Sequence, residues 1–172
     1  MNELIPVRGS ESEEVVSTLY REARLLDHEE YREWMKMVHP DIQYQAYFQQ
    51  LRYRKDKRYK LPDKVYTIDE RHDFLDARIR QFETGMQWSV DPPERFRRFL
   101  SNIEVFKASS TGNYQVFLNV FVVRNRRVHD ETTYSYGREE EWVRGEAGLQ
   151  LLKRVVSLDE RFLHGKNVNF FL

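Results

Sequence analysis

Apolar positions recur at spacings of three and four in the first half of the chain and at spacings of two in the second, which predicts helices followed by strands. Val16, Leu19, Ala23 and Leu26 place one apolar stripe on a helix over residues 11–27, with Ser10 and Glu13 spaced as a capping box. Asp27 and Glu30 repeat the capping pattern for a second helix with a buried face of Tyr31, Trp34, Met35 and Val38. Pro40 ends it by pushing His39 out of helical geometry. From Asp41 the period becomes two, and Ile42, Tyr44, Ala46 and Phe48 share one face of a strand. Thr67 and Glu70 cap a third helix with a stripe of Phe74, Leu75, Ile79 and Phe82. Gly85 stands where a left-handed C-terminal residue is wanted.

After Pro92 and Pro93 the chain reads as strands. Residues 99–106 alternate, Gly112-Asn113 marks a turn, and residues 114–123 are apolar on both faces, which places that strand inside the sheet. Strands over residues 128–136 and 149–158 complete a meander, with turns around Arg126-Arg127 and from Gly145 to Gly148. Helices first and antiparallel strands afterwards make an α+β domain, a strongly curved sheet wrapped around the helices, spanning residues 1–172.

Composition and charge add to this picture. Eleven Phe, ten Tyr and three Trp make the core largely aromatic. No cysteine is present among the 172 residues, which removes disulfides, thiolate nucleophiles and Cys-ligated zinc or iron–sulfur clusters. Twenty-eight basic residues balance 28 acidic ones, so no net field draws the chain to nucleic acid or an anionic membrane. No apolar run reaches the roughly 20 residues of a membrane span, and Met1 to Pro6 lacks a secretory pattern, so a cytoplasmic protein is expected.

Candidate chemistry is sparse. His72-Asp73 and His129-Asp130-Glu131 are the His–acid juxtapositions, but adjacent residues point in different directions, so no metal site is expected. His28 and His164 read as ordinary surface positions. Tyr20, His39, Asp41 and Tyr44 could line an acid–base pocket; alternatively both tyrosines are core rings, and His39 and Asp41 mark a helix boundary. The basic residues 52–60, with Tyr53 and Tyr59, could grip phosphates and stack bases, but read more simply as a solvated or protein-contacting loop. Phe170, Phe171 and Leu172 must dock somewhere, either on their own domain or at a subunit interface.

These features meet in one resemblance. Its residues are Glu22-Ala23-Arg24-Leu25-Leu26-Asp27 with Trp34; Arg78-Ile79, then Phe82-Glu83-Thr84-Gly85, Trp88 and Pro92-Pro93; Arg97 with Ser101-Asn102; Asp130-Glu131 leading to Tyr134 and Gly137-Arg138; and Arg154, Leu158-Asp159, Asn167 and Phe171. In order and spacing the chain resembles the β (small) subunit of Rieske-type aromatic-ring-hydroxylating dioxygenases, which has an NTF2-like, cystatin-like fold. One departure is Gly148-Leu149-Gln150, where many relatives carry a tryptophan.

The resemblance implies a non-catalytic chain with no catalytic, cofactor-binding or metal residues of its own. It implies a β trimer supporting three catalytic α subunits in an α3β3 hexamer that dihydroxylates aromatic hydrocarbons for catabolism. The Rieske [2Fe–2S] cluster and mononuclear Fe(II) would sit in α. Ferredoxin and reductase would reach the assembly through α, in a system that consumes O2 and NAD(P)H. Within this chain it implies caps and turns at Asp27 and Gly85, core rings at Trp34 and Trp88, and polar or charged contacts at Arg78, Arg97, Asp130 and Arg154, with Arg97 and Arg154 at subunit interfaces. The alternative is a stand-alone lyase or isomerase, or a small-molecule-binding module, of the same fold with a pocket near His39 and Asp41.

Overall fold

The computed structural model describes residues 3–49, 64–85, 94–126, 130–159 and 170–172. Among them the elements run β1 (Leu4–Pro6), α1 (Ser10–Asp27), α2 (Tyr31–Met35), β2 (Val38–Gln49), β3 (Lys64–Glu70), α3 (His72–Glu83), β4 (Arg95–Ala108), β5 (Tyr114–Arg126), β6 (Asp130–Gly145) and β7 (Gly148–Leu158). The strands form one sheet in the order β1-β4-β5-β6-β7-β2-β3. Its pairs are antiparallel except β2 with β7, a parallel pairing the meander reading did not anticipate. The sheet is strongly curved, with α1 packed against β4 and α2, and α3 against β2. The expected α+β architecture is therefore the observed one.

Several boundaries differ, each for a physical reason. Helix α1 starts from Gly9, at a φ of 70°, with no side-chain cap, so the Ser10–Glu13 capping box does not form. Glu11 and Glu13 instead place charge in the first turn, where the helix dipole favours it. The second helix is only five residues long, and Val38 to Pro40 already belong to β2. Proline is tolerated there because pairing to β7 is interrupted between Val38 and Gln43. Thr67 and Glu70 do not cap a helix. They lie in edge strand β3, where the Thr67 hydroxyl donates to the Ala46 carbonyl at 3.3 Å, and α3 begins only after Arg71. The run Val65-Tyr66-Thr67-Ile68 has the β-branched and aromatic character that favours a strand over a helix start. Gly85 does take the left-handed turn expected of it, with a φ of 64°.

Strand β5 lies inside the sheet as expected, paired along its length to β4 and β6. Strand β6 continues past Tyr136 to Gly145, and its inward row is Tyr134, Tyr136, Arg138, Glu140 and Trp142. Residues 52–60, Trp88, Pro92-Pro93, His129, His164 and Asn167 lie outside the described residues.

The core is aromatic and closes on the last three residues. Phe171 sits among Trp34 (ring centroids 4.6 Å apart), Tyr31 (5.4 Å) and Phe82 (6.1 Å). Phe170 packs on Phe96 (4.9 Å) and Tyr134 (5.2 Å). Of the two docking sites open to this segment, its own domain is the one used: Phe170, Phe171 and Leu172 are all buried within the chain. Phe74, assigned to the apolar stripe of the third helix, is instead 60% exposed, because the buried side of α3 passes through Leu75 and Ile79.

Phe171→Ala removes the ring that joins α2 and α3 to the core and should cost about 3–5 kcal/mol. Phe74→Ala should stay within about 0.5 kcal/mol of the parent. Urea unfolding midpoints with unchanged slopes will check both; equal effects at the two positions would contradict this account of the core.

Candidate functional site

Residues proposed for an acid–base pocket do not converge. His39 and Asp41 stand at the start of β2, with His39 Nδ1 3.9 Å from Asp41 Oδ2 and the Asp41 side chain 86% exposed. His39 Nδ1 accepts instead from the Asp41 backbone N–H at 3.1 Å, which is a local turn contact. Tyr20 is half-exposed on α1, in a shallow groove of about 350 Å³ that Arg97 and Phe99 also line. Tyr44 points the other way, into the core, where its hydroxyl donates to the Leu172 carbonyl and accepts from the Leu172 N–H, both at 2.7 Å. Of the two readings left open for the tyrosines, Tyr44 is a hydrogen-bonded core ring and Tyr20 is a surface residue. Among the described residues no group of three or more His, Asp or Glu side chains is placed to hold a metal ion.

The concentrated polar structure lies on the concave face. Glu22 of α1, Arg138 and Glu140 of β6 and Arg154 of β7 are all buried. Arg154 Nη2 donates to both Glu22 oxygens at 2.6 Å, and its Nε donates to Glu140 Oε1 at 2.7 Å. Arg138 Nη2 donates to Glu22 Oε2 at 2.6 Å, and Arg138 also bonds Glu140. Two tryptophans complete the set: Trp34 Nε1 donates to Glu22 Oε1 at 2.9 Å and Trp142 Nε1 to Glu140 Oε2 at 2.8 Å. Charges removed from water survive only when paired and hydrogen-bonded in this way.

A second layer of guanidinium groups holds the last three residues. Arg78 Nη2 donates to the Phe170 carbonyl at 3.2 Å, Arg98 Nη2 to the Phe171 carbonyl at 2.7 Å, and Arg154 Nη1 to the Leu172 carbonyl at 3.1 Å. Arg98 is neutralised by Asp27, whose carboxylate accepts from its Nη1 at 2.6 Å and from its backbone N–H at 3.1 Å. Arg78 is neutralised by Glu70 at 2.8 Å and lies 4.4 Å over the Phe171 ring. Asp27 is thus an ion-pair partner rather than a helix cap. Arg154 and Arg78 make contacts inside the chain, which corrects the expectation that Arg154 faces another subunit. Arg97 alone of the three arginines is exposed.

These surroundings set the titration of the interior. Burial pushes Glu22 up, but the charges of Arg154 and Arg138 and the hydrogen bonds from Arg154 and Trp34 outweigh it and hold its carboxyl at about 2. Burial also raises the Tyr44 and Tyr136 hydroxyls, so both stay neutral at physiological pH. Nothing in this set joins a nucleophile or free base to an open cavity. Its charged groups are largely taken up by one another and by residues 170–172 packed over them.

Comparison with known proteins decides the family. The ring hydroxylating beta subunit family matches residues 21–164. The chain belongs to this family. The small oxygenase component of a naphthalene 1,2-dioxygenase system from a Ralstonia species is 33% identical over 163 residues, covering 93% of this chain and 84% of the relative. A naphthalene 1,2-dioxygenase structure with indole bound in its active site superposes with a TM-score of 0.89 and 30% identity, covering 96% of this chain and 88% of that one. At 10% identity, a scytalone dehydratase-like protein of Novosphingobium aromaticivorans shares the fold alone, with a TM-score of 0.61 over 87% of this β-subunit chain and 85% of its own. The resemblance carried by the sequence motifs is therefore correct, and so is the NTF2-like fold inferred from it.

The Glu22 carboxyl ionises lower in the folded chain than at its usual 4.5, so the stability it contributes is present above pH 4.5 and disappears as pH falls toward 2. Glu22→Gln should cost about 3–5 kcal/mol at pH 7, because it leaves Arg138 and Arg154 under-compensated. The gap between parent and variant should narrow by about 3 kcal/mol between pH 4.5 and 2. Chemical denaturation across this range measures it; a gap that ignores pH would show that the Glu22 charge is not what the interior depends on.

Proposed function

We propose that this chain is the non-catalytic β subunit of a Rieske non-haem iron aromatic-ring-hydroxylating dioxygenase, a single domain that forms a trimeric scaffold for catalytic α subunits in an α3β3 assembly. The observation that carries the reading is similarity over 93% of the chain in sequence, to the small oxygenase component of a naphthalene 1,2-dioxygenase system, and over 96% in fold, to a naphthalene 1,2-dioxygenase structure. The interior supports it. Where a cone-shaped α+β fold can hold a substrate, this chain places the Glu22, Arg138, Glu140 and Arg154 network and the side chains of residues 170–172.

In this reading the chain carries no catalytic, cofactor or metal residue. The Rieske cluster and mononuclear iron belong to α, whose cysteines and histidines supply the ligands that a chain without cysteine lacks. The work of β is positional. Electron transfer between redox centres on neighbouring α subunits needs a fixed separation, and a closed symmetric ring of rigid β subunits imposes one. The aromatic substrate is then selected by α, and ferredoxin and reductase dock through α. The lyase or isomerase alternative loses its support, since His39 and Asp41 sit at the surface and enclose nothing.

Co-expression with a large subunit carrying Cys-x-His and Cys-x-x-His spacing should yield one complex in gel filtration, with iron and ring-hydroxylating activity that neither chain shows alone. Two chains that elute separately, or turnover of an aromatic or small-molecule substrate by this chain alone, would overturn the reading.

A further inference from the structure

The convex face of the sheet carries two aromatic patches of opposite charge. On one side of the β4–β5 pair, Phe99 and Phe121 face each other across the strands, with ring centroids 6.4 Å apart and 54% and 44% of their surfaces exposed. Arg97 stands two residues along β4 on the same face, opposite Val123. On the other side Phe106 and Phe117 pair at 5.9 Å, and Glu104 stands opposite Phe117. Arg97 and Glu104 are both exposed, and neither makes an ion pair among the described residues. Glu139, next to Phe117 on β6, extends the acidic side, whereas the row of Arg95 also carries Glu131 across Asn125 and adds no net charge, so Arg97 is the charge of the basic side. In the row beyond, Glu141 and Lys153 stand opposite each other, so that row adds no net charge.

A β-bulge separates the patches. Pairing of β4 with β5 shifts between Ser101 and Glu104, and Asn102 takes a φ of 52°, a conformation that asparagine tolerates better than most residues. A bulge bends its strand and increases the local twist, so the two patches tilt away from each other. Ser101, Asn119 and Gly137 line the surface between them with small side chains. Tilted apart, the patches are poorly placed to meet one flat partner and well placed to meet two different neighbours.

We infer that the Arg97, Phe99 and Phe121 patch of one copy docks head-to-tail on the Glu104, Phe106 and Phe117 patch of the next, closing a ring of identical chains. This deepens the scaffold reading and rests on it, by assigning the self-contact to one face. The occupant follows from complementarity: one patch offers the exposed Phe99 and Phe121 rings beside Arg97, the other the half-buried Phe106 and Phe117 rings beside Glu104, and neither charge makes an ion pair among the described residues. Such aromatic and arginine anchors, ringed by polar groups, are the composition of an interface centre. A heterologous contact of this kind uses two different surfaces per copy and closes when the rotation divides a full turn.

Sedimentation velocity of the full-length chain tests the assignment. Arg97→Glu and Glu104→Arg should each weaken trimer formation about tenfold or more by placing like charges together, and the double exchange should recover most of the loss. Both side chains are exposed, so near-UV circular dichroism should show an intact fold in each variant. Trimers that survive both single reversals, or a double exchange no better than either single, would overturn this surface while leaving the trimeric scaffold standing. A parent chain that remains monomeric or dimeric would overturn both.

Discussion

Of the four buried arginines among the described residues, Arg124 is paired with Glu94, and the other three, Arg98, Arg138 and Arg154, are compensated by carboxylates of α1 and β6. Each guanidinium presents five N–H donors in a rigid planar fork, so satisfying it dictates where its partners stand as well as what they are. Glu22 has to lie over β6 and β7, and Asp27, five residues further along α1, has to lie over β4. One helix is thereby fixed against both halves of the sheet. Two further donors, Arg98 Nη2 and Arg154 Nη1, reach the carbonyls of Phe171 and Leu172, so these residues are drawn in by the same side chains that place the first helix. Removing one carboxylate would leave arginine charge stranded, and that cost exceeds what the ion pair contributes in its own right. Apolar side chains could fill the same volume with no loss of stability. What the ionic interior adds is position, since hydrophobic contact alone would let α1 slide.

Aromatic packing and ion pairing are two aspects of one arrangement. Trp34 and Trp142 close the hydrogen-bonding capacity of Glu22 and Glu140 through their indole N–H groups while their rings fill the core. Arg78 shows the converse: it pairs with Glu70, bonds the Phe170 carbonyl and covers the Phe171 ring with its planar face. Helix α3, strand β3 and the chain end therefore meet at a single side chain. Most of the charged groups in this interior are thus committed to one another and to residues 170–172, as the scaffold reading requires.

The amino-acid pattern revealed some of this and hid the rest. Helix α1, the inward position of β5, the turn at Gly85 and the need of residues 170–172 for a docking site were all readable, because apolar periodicity and backbone conformation are local properties. The interior network was not. Glu139-Glu140-Glu141 looks like a solvated run, and nothing local says that the middle carboxylate turns inward to Arg138, Trp142 and Arg154. The available signal was the period-two row of Tyr134, Tyr136, Arg138, Glu140 and Trp142, which becomes visible once the strand is allowed to run past Tyr136. Thr67 and Glu70 misled for a related reason: a capping spacing is a weak signal beside four consecutive β-forming residues. Arg154 was assigned a subunit contact from the family resemblance; arginine is rarely buried, and its burial becomes tolerable only when partners distant in sequence, here Glu22 and Leu172, are brought to it.

Interior and exterior are coupled through the strand that serves both. In β4, Arg98 points inward to Asp27 while its neighbours Arg97 and Phe99 point outward, and the Ser101–Glu104 irregularity resets the alternation so that Glu104 and Phe106 face outward again. A slip of one residue would carry Arg97 into the core and expose Arg98, exchanging every side chain between the two faces. The Asp27 pair forbids that slip, because its carboxylate holds both the side chain and the backbone N–H of Arg98. The buried charges thus determine which rings and which charges the convex face can offer to another subunit. A substitution deep in the concave interior can in this way disturb assembly without touching the assembled surface.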